Sequence, residues 1–309
     1  MKNCLNPGAL ALAVGSSAMW GLLPAYWKLF SDVPAYEVLA HRAFWSFIFM
    51  AFMVTMTGRG AALRQEVRVL AARRRKIVFL VAGAIIVCFN WLTYIWAVNH
   101  DRVVESSLGY YISPLLNVLT GVILLRERLS LWQFLAVLLA AAGVLHLTVN
   151  YGSLPLVSLF LAGSITVYHL CKKITGLSAI SGMTLETALI APAALIFIAY
   201  LQISGQGRPI AWSPSFLPLA GTGAVTAIPM IMFAYSINRL PLTIIGLSTY
   251  VSPTIMLLLG VFVYRETFTR AHFIAFGLIW GGLLLFSLAK SPPLAALERR
   301  LGRAWGRNR

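Results

Sequence analysis

Apolar positions along this chain gather into ten long windows separated by short polar connections: 8–30, 36–57, 77–98, 103–125, 131–149, 154–171, 183–203, 216–237, 243–263 and 271–289. A helix rising 1.5 Å per residue needs about 20 apolar residues to cross a ~30 Å hydrocarbon core, so each window is long enough to span a bilayer. Lipid offers no partner to backbone N–H and C=O groups, so such spans must be helices. The pattern predicts an all-α polytopic membrane protein of ten transmembrane helices, with no residues left over for a soluble domain.

Inside these windows one polar pattern occurs twice. Residues 108–127 read LGYYISPLLNVLTGVILLRE and residues 247–266 read LSTYVSPTIMLLLGVFVYRE. Adding 139 carries Leu108 to Leu247, Tyr111 to Tyr250, Ser113-Pro114 to Ser252-Pro253, Gly121 to Gly260 and Arg126-Glu127 to Arg265-Glu266. The same offset takes Asn99 to Asn238 and Gly143 to Gly282 without a gap. We read two copies of one unit, residues 6–150 and 151–290, followed by a basic tail at 291–309. Each copy holds five spans, an odd number, so the second starts from the opposite side and the repeats are inverted. Inverted repeats support alternating access to a site near the membrane midplane.

Composition agrees: 59% of residues are hydrophobic and 11% charged, against roughly a quarter charged in soluble domains. A net charge of +16 would suit nucleic acid, but its placement suits a membrane instead. With the N-terminus in the cytoplasm, 19 basic residues fall on the cytoplasmic side and five on the other. That is the positive-inside imbalance, and it predicts a bacterial-type inner membrane protein with both termini cytoplasmic and no nucleic-acid partner. Residues 58–76 set Leu63, Val67 and Leu70 against Arg64, Arg68 and Arg73 to Arg75, a short basic helix suited to an anionic inner leaflet. The tail repeats the design with Leu294, Leu297, Leu301 and Trp305. Cys4, Cys88 and Cys171 give neither a disulfide framework nor metal-ligand spacing, so no metal or cofactor is expected.

Candidate chemistry lies within the spans. Pro114 and Pro253 lack an N–H and crowd the carbonyls of Tyr110 and Thr249, so both are expected to break their helices. Proline-interrupted spans at matching positions of two halves point to a transporter's binding site. Beside them, Ser113 and Asn117 on one copy and Ser252 on the other form a polar stripe, and Tyr110 and Tyr250 offer hydroxyls. Arg42 in the second span costs at least about 2.5–3.5 kcal/mol in lipid and needs a partner or a wet cavity. Glu186 falls at the matching place in the seventh span, so an Arg42–Glu186 pair lining a central cavity is expected. The alternative sets Glu37, His41 and Arg42 at the outer headgroups, snorkelling into water. Asn90 and Tyr94 share one face of the third span, where Asn90 serves either an interhelical hydrogen bond or a substrate. Trp20 and Tyr168 are open to the same two readings, packing or ligand contact. Arg126-Glu127 and Arg265-Glu266 read as tight turns with local ion pairing. Glu37, His41, Glu105, His169 and Glu186 are the groups able to carry a proton. The fifth and tenth spans, rich in Ala, Leu and Gly, suit peripheral packing or dimer contacts, so a monomer and a homodimer both stay open.

The five-plus-five arrangement, the E-x-x-x-x-R pattern from Glu37 to Arg42, and SLGYYISPLLNV…RERLSLWQ resemble the RarD branch of the EamA family, within the drug/metabolite transporter superfamily, over residues 6–290. The resemblance implies a ten-helix fold, a central cavity from spans 1–4 and 6–9, and export of metabolites or drugs. The branch's association with chloramphenicol sensitivity adds a substrate clue. No G-x-x-x-x-G-K-[ST] motif occurs, so energy would come from a gradient, of protons for example. The aromatic and amide residues predict a medium-sized organic substrate with a ring, and Arg42 admits a carboxylate. Two other classes compete: a lipid or lipid-linked sugar flippase of the same fold, and an integral-membrane enzyme, for which no G-x-S-x-G or H-E-x-x-H motif is present.

Overall fold

The computed structural model describes residues 6–125, 130–152, 154–209, 216–237, 239–240 and 242–289. These form twelve α-helices: α1 Pro7–Trp27, α2 Ala35–Met56, α3 Gly60–Ala71, α4 Arg74–Asn99, α5 Val103–Leu125, α6 Leu131–Tyr151, α7 Leu156–Thr175, α8 Ala179–Ile203, α9 Leu217–Ile237, α10 Leu242–Thr249, α11 Val251–Leu258 and α12 Arg270–Leu288. Among the described residues there is no strand. Seven helices, α1, α2, α4, α6, α8, α9 and α12, are long and apolar enough to cross a membrane, as expected of a multi-pass membrane protein. The tail 291–309, the pair Arg126-Glu127 and Asn238 lie outside the described residues.

Local chemistry sets the helix ends. Asn6 accepts from the Ala9 N–H at 3.1 Å ahead of Pro7, while Ser130 with Gln133 and Thr269 with His272 form capping boxes on α6 and α12. Gly152 and Gly176 close α6 and α7 at φ of 67° and 65°, a conformation that costs glycine little. In α3, Leu70 is buried, Leu63 and Val67 are half-buried and Arg64 and Arg68 are exposed, the amphipathic pattern read from the sequence.

The two prolines behave differently, which corrects one expectation. Pro253 does break its helix: α10 stops at Thr249, whose carbonyl the ring crowds, and α11 resumes at Val251 before ending in a π turn, Leu259–Val263. Pro114 sits inside an unbroken α5 that absorbs the missing bond.

Helix neighbours are α1 with α9 and α11, α4 and α5 with α7, α2 with α8 and α9, α4 with α8, α5 with α11, and α6 with α12. In the last pair the backbones nearly touch. A Cβ on Gly143 would lie 2.8 Å from the Ala275 carbonyl oxygen, and one on Gly282 would lie 2.7 Å from that of Ala136. The largest buried cluster, with Trp27, Phe30, Val38, Val98, Val103, Leu161 and Leu219, fills one end of the molecule.

Candidate functional site

Eight segments, α1, α2, α4, α5, α7, α8, α9 and α10–α11, enclose a cavity of about 650 Å³ to which α6 and α12 contribute no lining residue. Trp20, Arg42, Asn90, Tyr94, Tyr110, Ser113, Asn117, Tyr168, Glu186, Tyr250 and Ser252 all border it, as do Pro114 and Pro253. Residues remote in sequence thus meet because each of these helices turns at least one polar or aromatic side chain toward one space.

Arg42 is 4% exposed. Its guanidinium lies over the rings of Trp27 and Trp91, 4.9 and 4.0 Å from their centroids, and its Nε donates to Thr226 Oγ1 at 3.1 Å. Nη1 meets no acceptor among the described residues. The expected Arg42–Glu186 pair is not formed. Glu186 Oε2 instead accepts from Tyr168 Oη at 2.8 Å and faces Lys172 Nζ at 3.3 Å. The reason is helix facing: α7 presents Tyr168 and Lys172, four residues apart and on one face, to α8, whereas α2 turns Arg42 toward α9 and Thr226. Lys172 is a site residue not singled out in the sequence, although its spacing of four from Tyr168 sets the two on one helix face.

The headgroup alternative for the second span does not hold either, because Glu37 and His41 are each 2% exposed within protein. Glu37 Oε1 accepts from the Arg208 N–H at 2.7 Å, and His41 lies edge-on to Phe216. Glu105 Oε1 accepts from the Val157 N–H at 3.2 Å, near the start of α7. None of these three borders the cavity. Of the proton-carrying candidates, His169 and Glu186 do, and His169 Nδ1 is 3.3 Å from Asn117 Oδ1. Asn90, 1% exposed, donates to the Leu161 carbonyl at 3.1 Å and to Ser164 Oγ at 2.8 Å, so it joins α4 to α7 while bordering the cavity. Tyr94 meets Tyr110 edge-on at 5.7 Å and Trp20 meets Phe233 at 5.5 Å.

The two ends of the cavity differ. At one, Lys172, Thr175, Leu177 and Ala179 bring it to the α7–α8 connection. At the other, the large apolar cluster is overlaid by polar ties: Lys28 to Asp101 at 2.5 Å, Arg208 to Asp32, and Glu37 to the Arg208 backbone. Glu266 adds a fourth tie, its two oxygens accepting the N–H groups of Val103 and Val104 at 2.7 Å each. This replaces the local ion pairing expected of Arg265-Glu266. Arg265, at φ 55°, turns the chain so that Glu266 meets the free N–H groups and positive dipole end of α5. Burial raises the Glu266 carboxyl above its usual range, and the two N–H groups pull back against that shift.

Known proteins share the sequence and the fold of this chain. The model of the EamA-like transporter family matches residues 7–149 and again residues 154–288. "Uncharacterized transporter YojE" of Bacillus subtilis is 43% identical over 286 residues, which cover 92% of this chain and 94% of that one. "Protein RarD" of Escherichia coli is 38% identical over 277 residues, covering 89% and 92%. A Pseudomonas aeruginosa relative named "Chloramphenicol-sensitive protein RarD" is 29% identical over 277 residues, covering 89% and 91%. One solved crystal structure shares the fold at a TM-score of 0.58 and 20% identity, covering 92% of this chain and 98% of its own.

Proposed function

Since the chain belongs to the EamA-like transporter family, we propose that it is a secondary transporter, not an enzyme, that exports a small organic molecule by alternating access of the central cavity. The observation that carries this reading is a cavity bordered by helices of both copies, tied shut at one end and reaching the α7–α8 connection at the other.

Internal symmetry supports ten spans in two inverted units, 6–150 and 151–290. Take α1, α2, α4, α5 and α6 as one copy and α7, α8, α9, α10–α11 and α12 as the other. Exchanging them turns α1–α9 into α7–α4, α1–α11 into α7–α5 and α2–α9 into α8–α4, all of them packed pairs. Gly143 against Ala275 exchanges with Gly282 against Ala136 at the same offset of 139. The capping box of Ser130 and Gln133 recurs as Thr269 and His272. The two separate family matches divide the chain at nearly the same place.

Basic residues put the termini and the α7–α8 connection in the cytoplasm of a bacterial-type inner membrane, with α3 on its anionic leaflet. The cavity then faces inward, ready to take up cargo for export. His169 and Glu186 are the groups placed to couple protons to the cycle.

The test is counterflow in proteoliposomes, in which uptake of labelled solute is driven by unlabelled solute inside. No exchange of any solute, with lipid translocation in its place, would make the protein a flippase. Single cysteines at Ser130 and Thr269 should label from opposite faces; labelling from one face would end the inverted-repeat reading.

A further inference from the structure

Three described charged side chains border the cavity: Arg42, Lys172 and Glu186. Lys172 and Glu186 face each other at 3.3 Å and cancel, while Tyr168 takes a further contact on the same carboxylate oxygen. Arg42 has no such partner. Its carbon lies over the rings of Trp27 and Trp91 and Thr226 takes one N–H, but among the described residues no carboxylate reaches it and Nη1 meets no acceptor. Stacking on aromatic faces stabilises the charge of a guanidinium and leaves its in-plane N–H donors unmet. A buried cation without a counter-ion is unfavourable, and the group whose geometry answers a guanidinium fork is a carboxylate.

We infer, resting on the transporter reading above, that the cargo is an aromatic monoanion with one carboxylate and no ammonium group, anchored at Arg42. The valence follows from the single uncancelled positive charge. An amino acid fits less well, because its ammonium group needs a carboxylate and Glu186, the one described carboxylate on the cavity, is already engaged by Lys172 and Tyr168. The body of the molecule follows from Trp20, Trp91, Tyr94, Tyr110, Phe233 and Tyr250, which give flat apolar walls. The volume of about 650 Å³ lies in the range of pockets for organic ligands.

Calorimetric titration of the purified protein with phenylacetate, phenylacetamide and L-phenylalanine tests this, followed by the same set built on naphthalene. The acid should bind at least tenfold tighter than its amide and its amino acid. Arg42→Gln should erase that preference. Lys172→Gln, which frees Glu186, should improve L-phenylalanine relative to phenylacetate. The inference is overturned if the amide matches the acid, if no acid of either set binds, or if Arg42→Gln keeps the preference. Should Arg42→Gln not fold, the acid-to-amide ratio of the native protein and the Lys172→Gln result decide. Counterflow of solutes without acid preference would sink the charge assignment and leave transport standing. Acid binding without counterflow of any solute would do the reverse.

Discussion

Replacing Glu266 with alanine should loosen the tied end of the cavity. Its carboxylate accepts the Val103 and Val104 N–H groups at 2.7 Å each, two of the four amides that open α5 and have no partner within that helix. Losing a helix cap costs about 0.5–2 kcal/mol, and hydrogen bonds to a charged group lie near the upper end. Glu266 is half-buried, so water recovers part of the loss and about 2 kcal/mol is a fair figure. If the tie exists only while this end is shut, the balance of shut to open should fall roughly 30-fold, at about 1.4 kcal/mol per tenfold. Val33 is 4% exposed in the cluster beneath the ties, which makes it a sensor of opening. With Cys4, Cys88 and Cys171 replaced by serine, a Val33→Cys protein in right-side-out vesicles would be treated with an impermeant maleimide. Glu266→Ala should speed labelling tenfold or more. An unchanged labelling rate together with a lowered melting temperature would refute the reasoning, because Glu266 would then cap α5 equally in every state.

Two further substitutions probe packing. Gly143→Ala and Gly282→Ala each force a methyl against a backbone carbonyl between α6 and α12, so each should cost about 1–3 kcal/mol and lower the melting temperature by similar amounts. If one is neutral, the twin contact is wrong. Asn90→Ala removes donors to Leu161 and Ser164 and should cost about 0.6–2 kcal/mol in a thermal melt, comparable to other hydrogen bonds between membrane helices.

What the sequence disclosed was local or periodic. Apolar windows and capping residues are written in consecutive letters, so an all-helical multi-pass chain could be read directly, and the polar residues singled out within the windows do border one cavity. Partners set by facing could not. Arg42 and Glu186 occupy matching windows, yet which helix each faces depends on rotations that no spacing records, and Thr226 and Lys172 take the places reserved for the pair. Glu266 caps a helix that starts 163 residues earlier, which no local motif announces. Ser-Pro occurs twice, but α5 stays whole at Pro114 while α10 ends before Pro253, so the dipeptide alone does not decide where a helix breaks.

If the chain is two inverted copies, as proposed above, its packing predicts which bodies move against each other. Most tightly packed neighbours would then belong to opposite copies, so the copies would not rock as units. Two bundles remain, each mixing both copies: α1 with α9 and α10–α11, and α7 with α4 and α5. Exchange of the proposed copies would convert one bundle into the other, as two alternative openings of one cavity require. Lys28 with Asp101 and Glu266 with α5 both join one bundle to the other, and both lie at the tied end. Lys76 to the Thr175 carbonyl, near the α7–α8 connection, stays within one bundle. Joining Lys28→Cys to Asp101→Cys with a short bis-maleimide should therefore preserve ligand binding from the α7–α8 side and abolish counterflow. Oxidising Gly83→Cys onto native Cys171, whose Cβ lies 3.2 Å from the new Cβ position within the second bundle, should leave counterflow intact. Counterflow that survives the first bridge or dies with the second would show that the moving parts are divided along a different seam.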